Sequence, residues 1–215
     1  MSDARARSLV HLERERLADD LQSFGPDAPT ILDGWDAADL LEHLLLRERR
    51  PDLLVGTHAP LPPVARWAEG ERAKLRDLDW RAQVERFREG SPVLSTVRRV
   101  DELVNTAEYA VHHEDLLRAR PGWSPRALGA EADRELWSVV RRSARILVRA
   151  EVDVTLVSPL GGVRVPSRGA AGSVRVHGDP MELLLWAFGR DRVARVDVQG
   201  PAEAVRALNR GSRGF

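Results

Sequence analysis

The segment NTAEYAVHHEDLLRARPGW, Asn105–Trp123, contains Glu108, His112, His113, Glu114 and Asp115. That is a dense set of imidazoles and carboxylates for about two helical turns. Such groups can hold a divalent cation or exchange protons. Glu108 and His112 are four residues apart, so on a helix their side chains leave adjacent turns on nearly the same side. Val93, Val97, Val100, Val104 and Val111 form an apolar stripe at helical spacing. At about 100° per residue, Glu108 lies about 50° from the centre of that stripe and His112 about 90° away. A carboxylate in that position is partly desolvated, which is costly unless it is paired or coordinated. His113 points about another 100° round the cylinder and does not join Glu108 in one site. His113-Glu114-Asp115 therefore reads as a solvated face near the helix end.

A metal needs at least a third protein ligand. The chain has no cysteine, which excludes thiolate sites, cysteine nucleophiles and disulfides and leaves His, Asp and Glu. The other histidines are His11, His43, His58 and His177. His58 sits in a Pro-rich loop and His177 in the C-terminal part. His11 belongs to a first helix and His43 to a second, and spacing leaves these two open. Two imidazoles and one carboxylate suit Zn²⁺, Ni²⁺ or Fe²⁺, with one or more positions left for water or substrate.

The elements that would position these groups can be read from periodicity and punctuation. Residues 3 to 22 predict a helix. Asp36, with Asp39 three residues later and AADLLEHLLL behind, predicts an N-capped helix that stops near Pro51. Helical pieces are expected at Val64–Leu75 and Trp80–Arg88. The helix carrying Glu108 and His112 starts near Pro92 and stops before Pro121-Gly122. Ala130–Arg149 predicts another, with Trp137, Val140, Ala144, Leu147 and Val148 on one side. After Ala150 the pattern changes. VDVTLVSPLGGVRV, SVRVHG and RVARVDVQG alternate as strands do. Asp179 and Pro201 open two short helices, PMELLLWAFG and PAEAVRAL. The expected class is α+β, with a helical domain over residues 1–150 and a small α+β domain over 151–215.

Composition narrows the function. With 43% hydrophobic residues in 215, the chain can bury a substantial core. No apolar run approaches the ~18 residues of a membrane helix, and the charged N-terminus lacks the apolar centre of a signal peptide. A cytoplasmic protein without a membrane partner is expected. The 33 basic and 33 acidic residues cancel and are interleaved, which argues against a nucleic-acid partner. Their mixture is compatible with a homodimer. Lys74 is the only lysine; so general a use of arginine reads as coding bias and is weak evidence for anion recognition.

Two motifs together resemble a known family. GWDAADLLEHLL, Gly34–Leu45, is similar to the Gly-Trp…Asp-Leu-x-x-His segment of the mycothiol-dependent maleylpyruvate isomerase and DinB-like metal-binding families of actinobacteria. EYAVHHEDLLRA resembles their second signature, Glu-x-x-x-His followed by Asp-Leu. The resemblance implies a DinB-like four-helix bundle in which His43, Glu108 and His112 bind one divalent metal, zinc in the first instance. It implies a sterol-carrier-like module at the C-terminus. It also implies that mycothiol, a low-molecular-weight thiol, serves as cosubstrate. Its sulfur would be held as thiolate by the metal. It would then add to an activated double bond of an electrophilic substrate, permit rotation and leave, or displace a leaving group. Arg118, Arg120, Arg168 and Arg190 are candidates to contact the thiol's polar parts. The expected activity is a metal- and thiol-dependent isomerase or transferase. The rival expectations are a non-catalytic metal-binding protein and a carrier of lipid or another small ligand. Trp35 and Trp123 are expected to pack at bundle ends, with an aromatic wall to the site as the alternative, and Trp186 in the core of the small domain.

Overall fold

The computed structural model describes residues 8–49, 62–90, 98–167 and 172–214. Among these residues there are eight helices and two small sheets, a mixed α+β fold. In chain order they are α1 (Leu9–Phe24), α2 (Ala37–Arg49), α3 (Pro62–Arg76), α4 (Trp80–Glu89), α5 (Arg98–Leu117), α6 (Ala130–Leu147), β1 (Val148–Arg149), β2 (Asp153–Ser158), β3 (Gly161–Val165), β4 (Ser173–His177), α7 (Pro180–Ala187), β5 (Asp197–Gln199), α8 (Ala202–Arg210) and β6 (Ser212–Arg213). Contacts group the chain into two compact units. One comprises Met1–Glu102 and His112–Ser124, the other Leu103–Val111 and Pro125–Phe215. No described helix is long and apolar enough to cross a membrane.

In the first unit, α2 starts where the sequence places it. The Asp36 side chain accepts from the Asp39 backbone N–H at 2.9 Å, and the Asp39 side chain accepts from that of Asp36 at 3.3 Å. This reciprocal cap satisfies two donors that a helix start otherwise leaves open. Ala37, Leu40, Leu41, Leu44 and Leu45 are buried along one stripe. Helix α4 packs against α1 and α2, and its C-terminal end is held by arginine. Arg49 Nη2 donates to the carbonyls of Arg86, at 2.7 Å, and Gly90, at 2.5 Å, as cations do at the negative end of a helix. Gly90 has φ +76°, and a Cβ there would run into the Arg14 guanidinium. Glu42, buried in α2, is held by Arg72 and Arg76 of α3.

Of the valines at helical spacing, Val104 is 39% exposed and Val111 is buried, while Val93, Val97 and the Val100 side chain lie outside what the structure describes. The helix is covered from Thr106 onward, with Ala107, Tyr109, Ala110, Val111 and Leu116 buried in different directions. The same cover takes in His113, Glu114 and Asp115, which are buried and not a solvated face. His113 reaches α1, where its Nδ1 lies 3.0 Å from Glu13 Oε2 and its Nε2 lies 2.7 Å from Asp20 Oδ2. Glu114 is paired with Arg118 one turn on, and the Arg118 guanidinium lies 4.7 Å from the Trp123 ring centroid.

In the second unit, α6 buries Leu136, Trp137, Val140, Ala144 and Leu147. It stops two residues earlier than the periodicity suggests, because Val148 and Arg149 turn into a strand that pairs with Ser212–Arg213. The main sheet has the order β3-β2-β4-β5. Strands β2 and β3 form a hairpin, whereas β2 and β4 run parallel, with Val154 opposite Val174 and Leu156 opposite Val176. These four side chains are buried on one face while their neighbours alternate outward. Helix α7 is buried at every position and contacts both α6 and β2, which places Trp186 in the core as expected. Its one charged residue, Glu182, accepts from the Arg195 backbone N–H at 2.7 Å. At the far end of the hairpin, Asp153 accepts from the Ser167 backbone N–H at 2.7 Å and from Arg164. The Arg164 hydrogen bond is the main reason the Asp153 carboxyl is held below its usual range.

Two predictions follow from these polar ties. His113→Ala leaves the buried Glu13 carboxylate short of a partner. The cost is about 3 kcal/mol, seen as a fall on the order of 10 °C in the thermal midpoint. His113→Gln, which keeps a donor, loses less. In the second unit, a carboxyl with a depressed folded-state pKa adds stability above its unfolded value, and that stability disappears as pH falls through the folded value. Urea midpoints of wild type and Asp153→Asn should therefore differ by a constant amount above about pH 5 and converge below about pH 4.

Candidate metal centre

Helix α5 contributes two of the three residues singled out above. Glu108 and His112 stand one turn apart, and both come close to His43 of α2. One donor atom from each of His43, Glu108 and His112 lies within 4.8 Å of the other two. Among the described residues this is the one group of three or more such side chains with that spacing. The His43 and His112 rings meet edge-on, with centroids 5.2 Å apart and planes at 67°. Imidazoles sharing one tetrahedral ion at about 2.0–2.1 Å from each nitrogen would have centroids about 5 Å apart. The donor set of two nitrogens and one carboxylate oxygen is also one that zinc accepts. The residues therefore fit a divalent ion. His43 and Glu108 are half-buried, while His112 is buried, so the group has a wetter and a drier side.

The two adjacent histidines are distinguished by their partners. His112 Nδ1 lies 2.9 Å from Asp115 Oδ2, which directs its Nε2 away from that carboxylate. Both ring nitrogens of His113 face carboxylates of α1, so His113 has no donor atom to offer a cation. The 100° separation per residue sends the neighbours to different surroundings. Of the other histidines, His11 and His177 are not in the group, and His58 lies outside the described residues.

The loop between α1 and α2 presents Trp35 at this place. Its indole is 36% exposed, with its centroid 5.4 Å from that of His43. The loop is tightly tied. Thr30 Oγ1 donates to the Trp35 carbonyl at 2.8 Å, Pro29 and Asp36 form an isolated bridge, and Ile31 N–H donates to the Asp115 carbonyl at 2.9 Å. Trp35 is thus a neighbour of His43, as the alternative of an aromatic wall has it. Sequence reasoning did not find Asp115 behind His112, although their i,i+3 spacing on a helix was a usable signal. No spacing rule links Trp35 to His43 across a loop and two helical turns.

The arginines proposed for anion contacts are engaged in packing. Arg118 is buried against Glu114 and Trp123. Arg120 lies over the Phe24 ring at 4.0 Å. Arg190 donates to the Phe188 carbonyl at 2.8 Å. Arg168 is outside the described residues.

Comparison with known proteins adds the fold. Two solved structures are similar over 90% of this chain and 92% of theirs, with a TM-score of 0.54: a mycothiol-dependent maleylpyruvate isomerase, at 16% identity, and a mutant form under the same name, at 17%. No protein-family model matches the chain, and no curated protein matches it by sequence. At this identity the likeness is one of fold.

If these three side chains hold an ion, purified protein carries about one equivalent of zinc. His43→Ala and Glu108→Ala each reduce it to near none in elemental analysis. Full retention in both variants rules the site out.

Proposed function

We propose that this protein binds one divalent metal, zinc in the first instance, through His43, Glu108 and His112. In this reading it acts with a low-molecular-weight thiol as an isomerase or transferase on an electrophilic small molecule. The observation that carries the proposal is the approach of the three donor atoms within 4.8 Å, in a chain whose fold is similar to that of a mycothiol-dependent isomerase. The same likeness supports mycothiol as the thiol. From the motif resemblance we also propose that residues 1–150 form a DinB-like bundle and residues 151–215 a sterol-carrier-like module.

The chemistry required of the metal is limited: when bound, it lowers the pKa of a thiol ligand so that thiolate is available near neutral pH. The chain's own residues do the rest. It has no cysteine, so the sulfur must arrive on a cosubstrate. Two half-buried ligands and one buried ligand leave the wetter side as the route of entry. Trp35, exposed beside His43, offers an apolar face to whatever organic group follows the sulfur in. Glu108 contributes the one negative charge among the three ligands, so a dication there keeps net positive charge and an affinity for a thiolate.

Calorimetric titration separates this reading from simple metal binding. Zinc-loaded protein titrated with mycothiol should give a binding isotherm that chelation of the zinc abolishes. Zinc-loaded protein that gives no heat is a metal-binding protein without the thiol.

A further inference from the structure

We propose that Asp115 is the positioning residue for His112, fixing which ring nitrogen faces the candidate ion and how the ring is turned. This rests on the metal reading above and adds to it a residue that does not touch the ion. Asp115 is fully buried in the last turn of α5. A carboxylate so far from water needs partners, and one of them is His112, whose Nδ1 lies 2.9 Å from Asp115 Oδ2.

With Asp115 ionised, its carboxylate only accepts, so Nδ1 carries the hydrogen and donates it. Nε2 then presents its lone pair, the form in which a histidine binds a metal. The contact also stops the ring from turning about its χ2. Without it, an imidazole can offer either nitrogen in a range of orientations.

Asp115 is in turn fixed by its own surroundings. It stands three residues after His112, on the same side of one helix. Its carbonyl accepts from Ile31 N–H at 2.9 Å, in the loop that carries Trp35 and runs into the cap of α2. The backbone that sets the His112 ring is therefore tied to the segment that leads to His43. His113 supplies an internal contrast. Its two nitrogens each face a carboxylate, an arrangement that anchors a helix and leaves no lone pair for a ligand. One carboxylate behind a histidine directs it; two enclose it.

The test compares wild type, Asp115→Asn and Asp115→Ala in three measurements: zinc affinity by competition with a chelating dye, the Co²⁺ absorption spectrum, and thermal unfolding of the metal-free proteins. Asn keeps the size and an accepting oxygen but loses the charge, so its zinc affinity should fall about tenfold, and that of Ala up to about 100-fold. The metal-free midpoint of Asp115→Asn should stay at the wild-type value. The Co²⁺ spectrum of Asp115→Ala should broaden and shift as the ring loses its fixed direction. Zinc affinities equal to wild type in both variants overturn the proposal. So does an affinity loss that merely parallels a lower metal-free midpoint, with the Co²⁺ spectrum unchanged. Wild type that binds no zinc overturns the metal reading itself, and that result is distinct because it appears before any substitution is made.

Discussion

Burial of the last turns of α5 on every side is the constraint from which the rest of the candidate site follows. A helix face in water can carry His, Glu and Asp with little consequence. A face covered by protein cannot, because each buried polar group must find a partner or incur a desolvation cost of a few kcal/mol. Here the partners come from different places. His113 is answered by Glu13 and Asp20, Glu114 by Arg118, and the Asp115 carboxylate by His112, while the Asp115 carbonyl accepts from the Ile31 N–H. Buried polar pairs of this kind often add little net stability over apolar packing. They do penalise rotation of α5 about its axis, since a turn of one residue would strand several of them. The orientation of Glu108 and His112 toward His43 is held in that way.

Arginine performs a second, separate task. The sequence uses it so freely that no single arginine stands out, and the structure shows many of them as ties between elements. Arg72 and Arg76 hold Glu42, Arg49 closes the end of α4, and Arg14 pairs with Glu48 at 3.3 Å. In the second unit, Arg213 lies over the Trp186 ring at 4.8 Å and reaches Asp191 at 2.6 Å. The planar guanidinium can bond a carboxylate along one edge and lie flat on a ring or backbone. Interleaved charges with a net of zero are what such pairing produces.

Much of this was legible in the sequence wherever a local rule operates. The cap at Asp36 and Asp39, the leucine stripe of α2, the alternation of β2 and β4 and the stop before Pro121-Gly122 are all decided by neighbours in the chain. What failed depended on tertiary cover. Val104 belongs to a regular stripe and is exposed, because nothing local says how far protein extends along α5. His113, Glu114 and Asp115 have the composition of a wet surface, and their burial is decided by residues near position 13 and position 31. The short pairing of β1 with β6 joins segments more than sixty residues apart. The candidate triad lies between these cases. Glu108 and His112 are fixed by helical spacing, whereas His43 could be chosen over His11 only through the resemblance of two motifs.

The adjacent histidines show why a chain would keep the unusual run His-His-Glu-Asp in a covered helix. Successive residues point about 100° apart, so four consecutive positions sweep round most of the circumference. Each polar residue in the run therefore meets a different neighbour: α2 for His112, α1 for His113, Arg118 one turn on for Glu114, and His112 with the loop before α2 for Asp115. Were the histidines spaced at four residues, both would face the same side, and one of these junctions would lose its polar tie. Compressing them into neighbours lets a single turn of helix present a possible ligand on one side and an anchor on another. A buried anchor on one side is also what allows the other to be left half-open, since the ligands no longer have to hold the helices together themselves.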